Sequence, residues 1–320
     1  PIMTLKDRLE AKNTLLMEGA LGERLKREFG LDISDNVGMA SLIYNAEGRN
    51  ALRSLWLQYL SIANEYGLPF LATTPTRRAN HKRVLHSGYS ISIIKDNVKF
   101  LQSVLKEIDH PSYLGGLMGC RGNAYTGEGN LSEDDAFKFH RWQAGEFAEA
   151  GANFLFAGIM PTLPEATGMA RAMTDTGLPY IISFTIKPDG CLIDGTTIND
   201  AINIVDSKVS AKPLCYMTNC IHPRFVVSAL EQPFNQTDIV NMRFRGIQAN
   251  TAELEYKDID GSDLIKATSS PESLAADIAY LHQRFNLSIL GGCCGTDNRH
   301  ITEIAKSISS GHHPLHPFER

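Results

Sequence analysis

The sequence predicts an α/β fold: a single (β/α)8 TIM barrel, one domain over residues 1–320, with an enlarged loop after strand seven. Three observations predict it. Eight apolar, β-rich runs alternate with helical stretches; most of the runs are continuous rather than alternating; and no linker-like shift in composition divides the chain. A continuous apolar run is what a parallel strand needs when both of its faces are covered. Regular strand–helix alternation leads in turn to one parallel sheet wrapped by helices. A doubly wound open sheet is the competing topology. It explains less well why the first, sixth and last strands all end in chemically suggestive residues, which barrel closure would gather around one mouth.

In chain order the candidate strands are Asn13–Ala20, Leu68–Thr74, Tyr113–Gly119, Asn153–Met160, Pro179–Ile186, Pro213–Cys220, Asp238–Ile247 and Leu287–Leu290. The segments between them carry helical periodicity, as in Ala51–Leu60 and Ser273–Leu281. Gly67, Gly151 and Gly177 stand just before strands two, four and five, where helices are expected to stop. Residues 247–273 are rich in Asn, Thr, Asp and Ser and read as the enlarged loop. That loop is a candidate lid, a contact between copies in a homo-oligomer, or a merely solvated excursion.

Composition bounds the function without identifying it. With 43% hydrophobic and 21% charged residues the chain has ample material for a core. A formal net charge of −5 argues against general attraction to nucleic acid or to an anionic membrane. No apolar run approaches the roughly 18 residues needed to span a bilayer. The first residues, Pro1–Arg8, lack the apolar core of a secretory signal. Six cysteines in so long a chain do not read as a disulfide framework, so reduced thiols and a cytoplasmic setting are expected.

The cysteines carry the chemistry. Gly291-Gly292-Cys293-Cys294-Gly295-Thr296 follows the last strand, and Cys220 ends the sixth. Glycines around two adjacent thiols mark backbone that must turn sharply, which lets both side chains face one point. Three thiolates suit zinc, a borderline-soft ion, and three protein ligands leave a fourth position open for substrate. Ordinary buried cysteine, or a redox pair, is the plain alternative for a Cys-Cys dipeptide. Cys120, Cys191 and Cys215 show no partner pattern and read as structural. His222 is a candidate fourth ligand, with an ordinary loop histidine the favoured reading; Asn219 is a candidate for orienting substrate, with a turn-forming asparagine as its competitor. An ion held by three thiolates is electron-rich, a poor source of hydroxide but suited to keeping a fourth thiol deprotonated. The reaction that follows is attack by a substrate thiolate on an electrophilic carbon.

These residues resemble the homocysteine S-methyltransferases. The Gly291–Thr296 segment is similar to that family's last-strand signature, and Asn219-Cys220 to its Asn-Cys at the end of strand six. The likeness extends over nearly the whole chain, through Glu18–Gly22, Gly119–Gly127, Pro161–Ala166, and Ile182–Phe184 to Gly195. The resemblance implies a (β/α)8 barrel in which Cys220, Cys293 and Cys294 bind Zn2+, and methyl transfer to homocysteine to give methionine. It implies small-molecule partners, a thiol acceptor and a methyl donor. There is no room for appended cobalamin or folate domains, which favours a sulfonium or quaternary ammonium donor. Glu18 and Asn219 are then expected to help place the acceptor.

The chain also departs from the family pattern. Glu18 stands where the family carries Asp, and Gly158-Ile159 stands where a Glu followed by Thr or Tyr is expected. Thr73–Asn80 replaces the common Glu-Thr-Asn-Thr-Phe type of second-strand end, and offers Arg77 and Arg78 to a carboxylate of a different thiol. The same residues otherwise read as solvated at the start of a helix. Glu165 opens a helix, where the dipole favours an acid in any case. Two alternatives accompany the main reading: a methyltransferase for another small thiol, and a non-catalytic zinc-binding barrel acting as a sensor or partner protein.

Overall fold

The computed structural model describes residues 2–253, 269–310 and 314–320. Its strands close into one barrel in sequence order: β1 Leu15–Met17, β2 Phe70–Thr73, β3 Ser112–Met118, β4 Phe154–Met160, β5 Tyr180–Phe184, β6 Cys215–Ile221, β7 Phe244–Ala249 and β8 Ile289–Gly292. Every pairing is parallel. Leu16 lies opposite Phe70 on one side of β1, and Leu15 opposite Ile289 on the other, where β8 closes the ring.

The continuous apolar runs have the cause expected of them. Leu15 and Met17 point into the barrel with Phe154, Phe156, Met217 and Ile289, whereas Leu16, Leu155 and Ala157 point out against the helices. Both faces are buried, which is why the runs are largely apolar, and the polar exceptions Thr73, Ser183, Thr218 and Gln248 are hydrogen-bonded. The interior is a packed core rather than a pore. Its lower end is covered by the N-terminal helix Leu5–Glu10, whose Leu5 and Leu9 join the interior cluster. Arg8 ties that helix to β3 through the Tyr113 hydroxyl at 3.0 Å.

The helices follow their capping chemistry. Ala46–Glu65 begins at Asn45, whose side chain accepts from the Gly48 amide, and it buries Trp56 and Tyr59 completely. Gly151 ends Glu133–Ala150 at φ 83°, the left-handed conformation that glycine adopts without strain. The seventh strand differs from expectation. Residues Asp238–Arg243 form a short helix, and the strand runs from Phe244 to Ala249. Thr237 caps that helix by accepting from the Val240 amide, and Met242 is left exposed, so the apolar residues taken for an early strand serve a helix instead. The enlarged loop expected over 247–273 begins after Ala249, and most of it lies outside the described residues.

Candidate metal centre at the barrel mouth

At the C-terminal mouth, the tip of β8 is sewn to its neighbours by backbone. The Gly292 amide donates to the Glu18 carbonyl at 3.1 Å, and the Cys293 amide to the Ala249 carbonyl at 2.7 Å. The Thr251 amide donates to the Cys294 carbonyl at 3.1 Å. Thr296 Oγ1 donates to the Cys293 carbonyl at 2.6 Å and accepts from the Ala20 amide at 3.1 Å. Gly291 is required by closeness: a Cβ there would stand 2.7 Å from Met17 Cβ and 3.0 Å from two carbonyl oxygens of β1 and its extension. Gly295 turns the chain back at φ 82°.

Cys220 is positioned differently. It sits at φ 60°, a left-handed conformation that costs a non-glycine residue about 1 kcal/mol or more. The β6–β7 pairing shifts register between Asn219 and Ile221, around the same residue. This irregularity brings the Cys220 sulfur toward the β8 loop. The sulfurs of Cys220, Cys293 and Cys294 all lie within 4.8 Å of one another. Cys220 and Cys293 are joined as a disulfide across Cα atoms 5.4 Å apart, a normal spacing for that bond. The expectation of six reduced thiols is thereby corrected. Two electrons and two protons, added to this bond, convert the pair plus Cys294 into three convergent thiols.

Three thiols so placed, on backbone held from three sides, fit a soft divalent ion in chemistry and in spacing. Cys294, whose sulfur is 4.0 Å from that of Cys293, has its thiol pushed up to about 12, by burial first and then by the Glu23 carboxylate. It therefore remains protonated at neutral pH unless a cation stands beside it. His222 is not part of the group. It is fully buried, its Nδ1 accepts the Arg224 amide at 3.2 Å, and its Nε2 lies 2.7 Å from Ser269 Oγ. It caps the helix Pro223–Glu231, and burial lowers its pKa to about 3, so the ring is neutral.

Asn219 stands beside Cys220 in a hydrogen-bonded chain that spans the mouth. Its Oδ1 accepts from Ser183 Oγ at 2.5 Å, and its Nδ2 donates to Gln248 Oε1 at 2.6 Å. Gln248 Nε2 continues to the Glu18 carbonyl at 3.2 Å. The strand expected over Asp238–Ile247 stops one residue short of Gln248, which the structure places inside β7. Ser183, a lone hydroxyl within an apolar strand, was the available signal for its side of the chain.

Glu18 is 3% exposed and faces the scaffold. Its carboxylate accepts from the Thr73 hydroxyl at 2.8 Å, the Thr73 amide at 3.1 Å and Trp56 Nε1 at 3.0 Å. Burial raises its pKa to about 7 against the lowering effect of those bonds. Glu165 is also fully buried. It accepts from the Arg121 and Leu131 amides at 2.7 and 2.8 Å and lies 3.0 Å from His140 Nε2, so it anchors the loop after β3. Cys215 lies inside the barrel, while Cys120 lines a cavity at the mouth beside Arg77 and Arg78.

A closed parallel barrel with catalytic-type side chains gathered at its C-terminal end is the architecture of a (β/α)8 enzyme, here one built around convergent thiols. The family model for homocysteine S-methyltransferase matches residues 15–308. The chain belongs to the homocysteine S-methyltransferase family, a family of thiol methyltransferases. It is 29% identical over 187 residues to homocysteine S-methyltransferase YbgG of Bacillus subtilis, a match spanning 58% of this chain and 56% of that protein. It is 25% identical over 346 residues to the selenocysteine methyltransferase of Astragalus bisulcatus, covering 95% of each. The metallated homocysteine methyltransferase MmuM of Escherichia coli shares the fold, with a TM-score of 0.73 at 20% identity over 93% of this chain and 97% of that one. Among the described residues no helix is long and apolar enough to cross a membrane.

Proposed function

We propose that this chain is a zinc-dependent thiol S-methyltransferase, with Cys220, Cys293 and Cys294 as metal ligands and a sulfonium or quaternary ammonium compound as donor. Homocysteine, giving methionine, is the acceptor suggested by the relatives' names; another small thiol is the second reading, favoured by Gly158 and the arginines of the β2 end. The observation that carries the proposal is the convergence of three sulfurs within 4.8 Å at the barrel mouth. When bound there, zinc would supply the positive charge that keeps an acceptor sulfur deprotonated at neutral pH.

The chain's own residues supply the remainder. The Ser183–Asn219–Gln248 chain fixes the floor beside Cys220, so Asn219 presents a held amide to the acceptor. Glu18 acts as a positioning residue: by binding both the amide and the hydroxyl of Thr73 it fixes the end of β2 and the turn that follows. The acceptor's proton leaves to solvent. The thiolate then forms the new sulfur–methyl bond as the donor's carbon–sulfur or carbon–nitrogen bond breaks, and the donor's sulfur or nitrogen takes the bonding pair and loses its positive charge. Holding the two reactants in line removes much of the entropic barrier.

The test is metal content together with product. Reduced protein loaded with zinc should hold one ion per chain, and Cys293→Ser should lower that occupancy. A panel of thiols, each with S-methylmethionine, S-adenosylmethionine or betaine, should yield one methylated thiol. Zinc binding unaffected by Cys293→Ser would refute the ligand set; bound zinc without product from any pair would favour the sensor or partner-protein reading.

A further inference from the structure

Between the ends of β2, β3 and β4 lies a cavity of about 630 Å³. Among the described residues its charged lining is basic, formed by Arg77, Arg78, Lys82, Arg83 and Arg121 without an Asp or Glu. The Arg83 guanidinium donates to Asn36 oxygens, and among the described residues none of the five side-chain cations forms an ion pair with a carboxylate. Like charges gathered without a counter-charge repel one another. Arg78 keeps exposed surface, but partial burial, followed by the charges of Arg83 and Arg77, holds its guanidinium below the usual range.

The two central arginines are seated rather than loose. The stem of Arg77 lies against Gly119, where a Cβ would come within 2.6 Å of its Cγ. The stem of Arg78 runs over Gly38, with Cδ 3.3 Å from the corresponding point. Side chains of either residue type larger than glycine would displace these stems. The cavity, at the ends of β2 to β4, and the three sulfurs, at the ends of β6 and β8, both lie at the C-terminal mouth of the one barrel. Among the described residues the cavity walls hold no carboxylate for an ammonium group: Gly158 contributes no side chain, and the Glu18 carboxylate faces Thr73 and Trp56 instead.

We propose that this cavity docks the anionic end of the acceptor, a small thiol carrying a dianionic group (two carboxylates or a phosphate), with Arg77 and Arg78 as its specificity-determining residues. The acceptor assignment rests on the thiol-methyltransferase reading; the anion site itself does not. Guanidinium forks bind carboxylate and phosphate in pairs of hydrogen bonds, which gives direction as well as charge. A volume of about 630 Å³ leaves room for such a group beyond a thiol chain.

Isothermal titration with reduced, zinc-loaded protein at low salt separates the parts. Tricarballylate and inorganic phosphate, which carry no thiol, probe the cavity alone and distinguish carboxylate from phosphate. At least one should bind, and the double variant Arg77→Gln/Arg78→Gln should weaken it by about tenfold or more. Mercaptosuccinate or a phosphorylated thiol should bind more tightly than 2-mercaptoethanol, and that preference should vanish in the double variant. Zinc content and 2-mercaptoethanol binding should not change. Both arginines carry exposed surface and their removal relieves like-charge repulsion, so a urea midpoint no lower than that of the wild type is expected and confirms that the fold is intact. If neither anion binds, or the variant binds them equally, the cavity assignment is overturned. If the anions bind through the arginines but no anionic thiol is preferred, the acceptor assignment is overturned. Absent zinc with intact anion binding would sink the methyltransferase reading and leave the anion site standing.

Discussion

Replacing Glu18 by Gln tests whether a carboxylate that looks catalytic in the sequence is a buried structural group. Glu18 titrates near 7 in the folded chain because burial disfavours its charge, against an ordinary value of 4.5. The folded state therefore holds its proton more tightly than the unfolded chain does. Between the two values the native protein binds more protons, so stability is fully present below the unfolded pKa and falls as pH rises through the folded one. A shift from 4.5 to about 7 corresponds to about 3 kcal/mol lost across that window. Glu18→Gln keeps an oxygen for the Thr73 donors but turns an NH2 toward Trp56 Nε1. That donor–donor contact costs about 1–3 kcal/mol at every pH. Wild type should thus exceed the variant in stability at low pH, with the gap closing by about 3 kcal/mol as pH rises from about 5 to 8. Urea midpoints of both proteins, measured metal-free and reduced across that range, read this difference directly while cancelling the other titrating groups. A gap that stays constant with pH would refute the reasoning and mean that Glu18 is charged in the fold.

His222→Ala should lower stability by about 1 kcal/mol through loss of the cap on Pro223–Glu231, and His222→Asn should recover much of it. Neither should change zinc occupancy; a fall in metal content would restore the histidine as a ligand. Gly291→Ala places a Cβ against Met17 and the backbone of β1, and should cost about 1–3 kcal/mol in urea unfolding. Zinc affinity should fall with it, since the same backbone carries Cys293 and Cys294. An unchanged midpoint would mean that β8 can move away from β1 freely.

Much of the barrel was legible because its cause is local. Apolar runs too short for helices and apolar on both faces, separated by amphipathic stretches and stopping glycines, admit few folds other than a wrapped parallel sheet. The exception, Asp238–Arg243, failed for a physical reason: a short apolar segment has no period long enough to separate a helix from a strand, and the Thr237 cap decided it. Cys220, Cys293 and Cys294 were legible as a group because adjacent thiols among glycines serve packing poorly.

The sequence by itself thus determined the barrel class, the three convergent cysteines and the unusual identities of Glu18, Gly158, Arg77 and Arg78. Only the tertiary structure decided what surrounds each. Whether a carboxylate faces substrate or scaffold depends on donors 38 and 55 residues away in the chain, which place Glu18 against Trp56 and Thr73. The union of Cys220 with Cys293 likewise spans 73 residues and requires a left-handed residue in β6 that no propensity foretells. Charge repulsion and hydrogen bonding act through space, so the basic cavity and the Ser183–Asn219–Gln248 chain exist only once closure brings separate strand ends to one mouth.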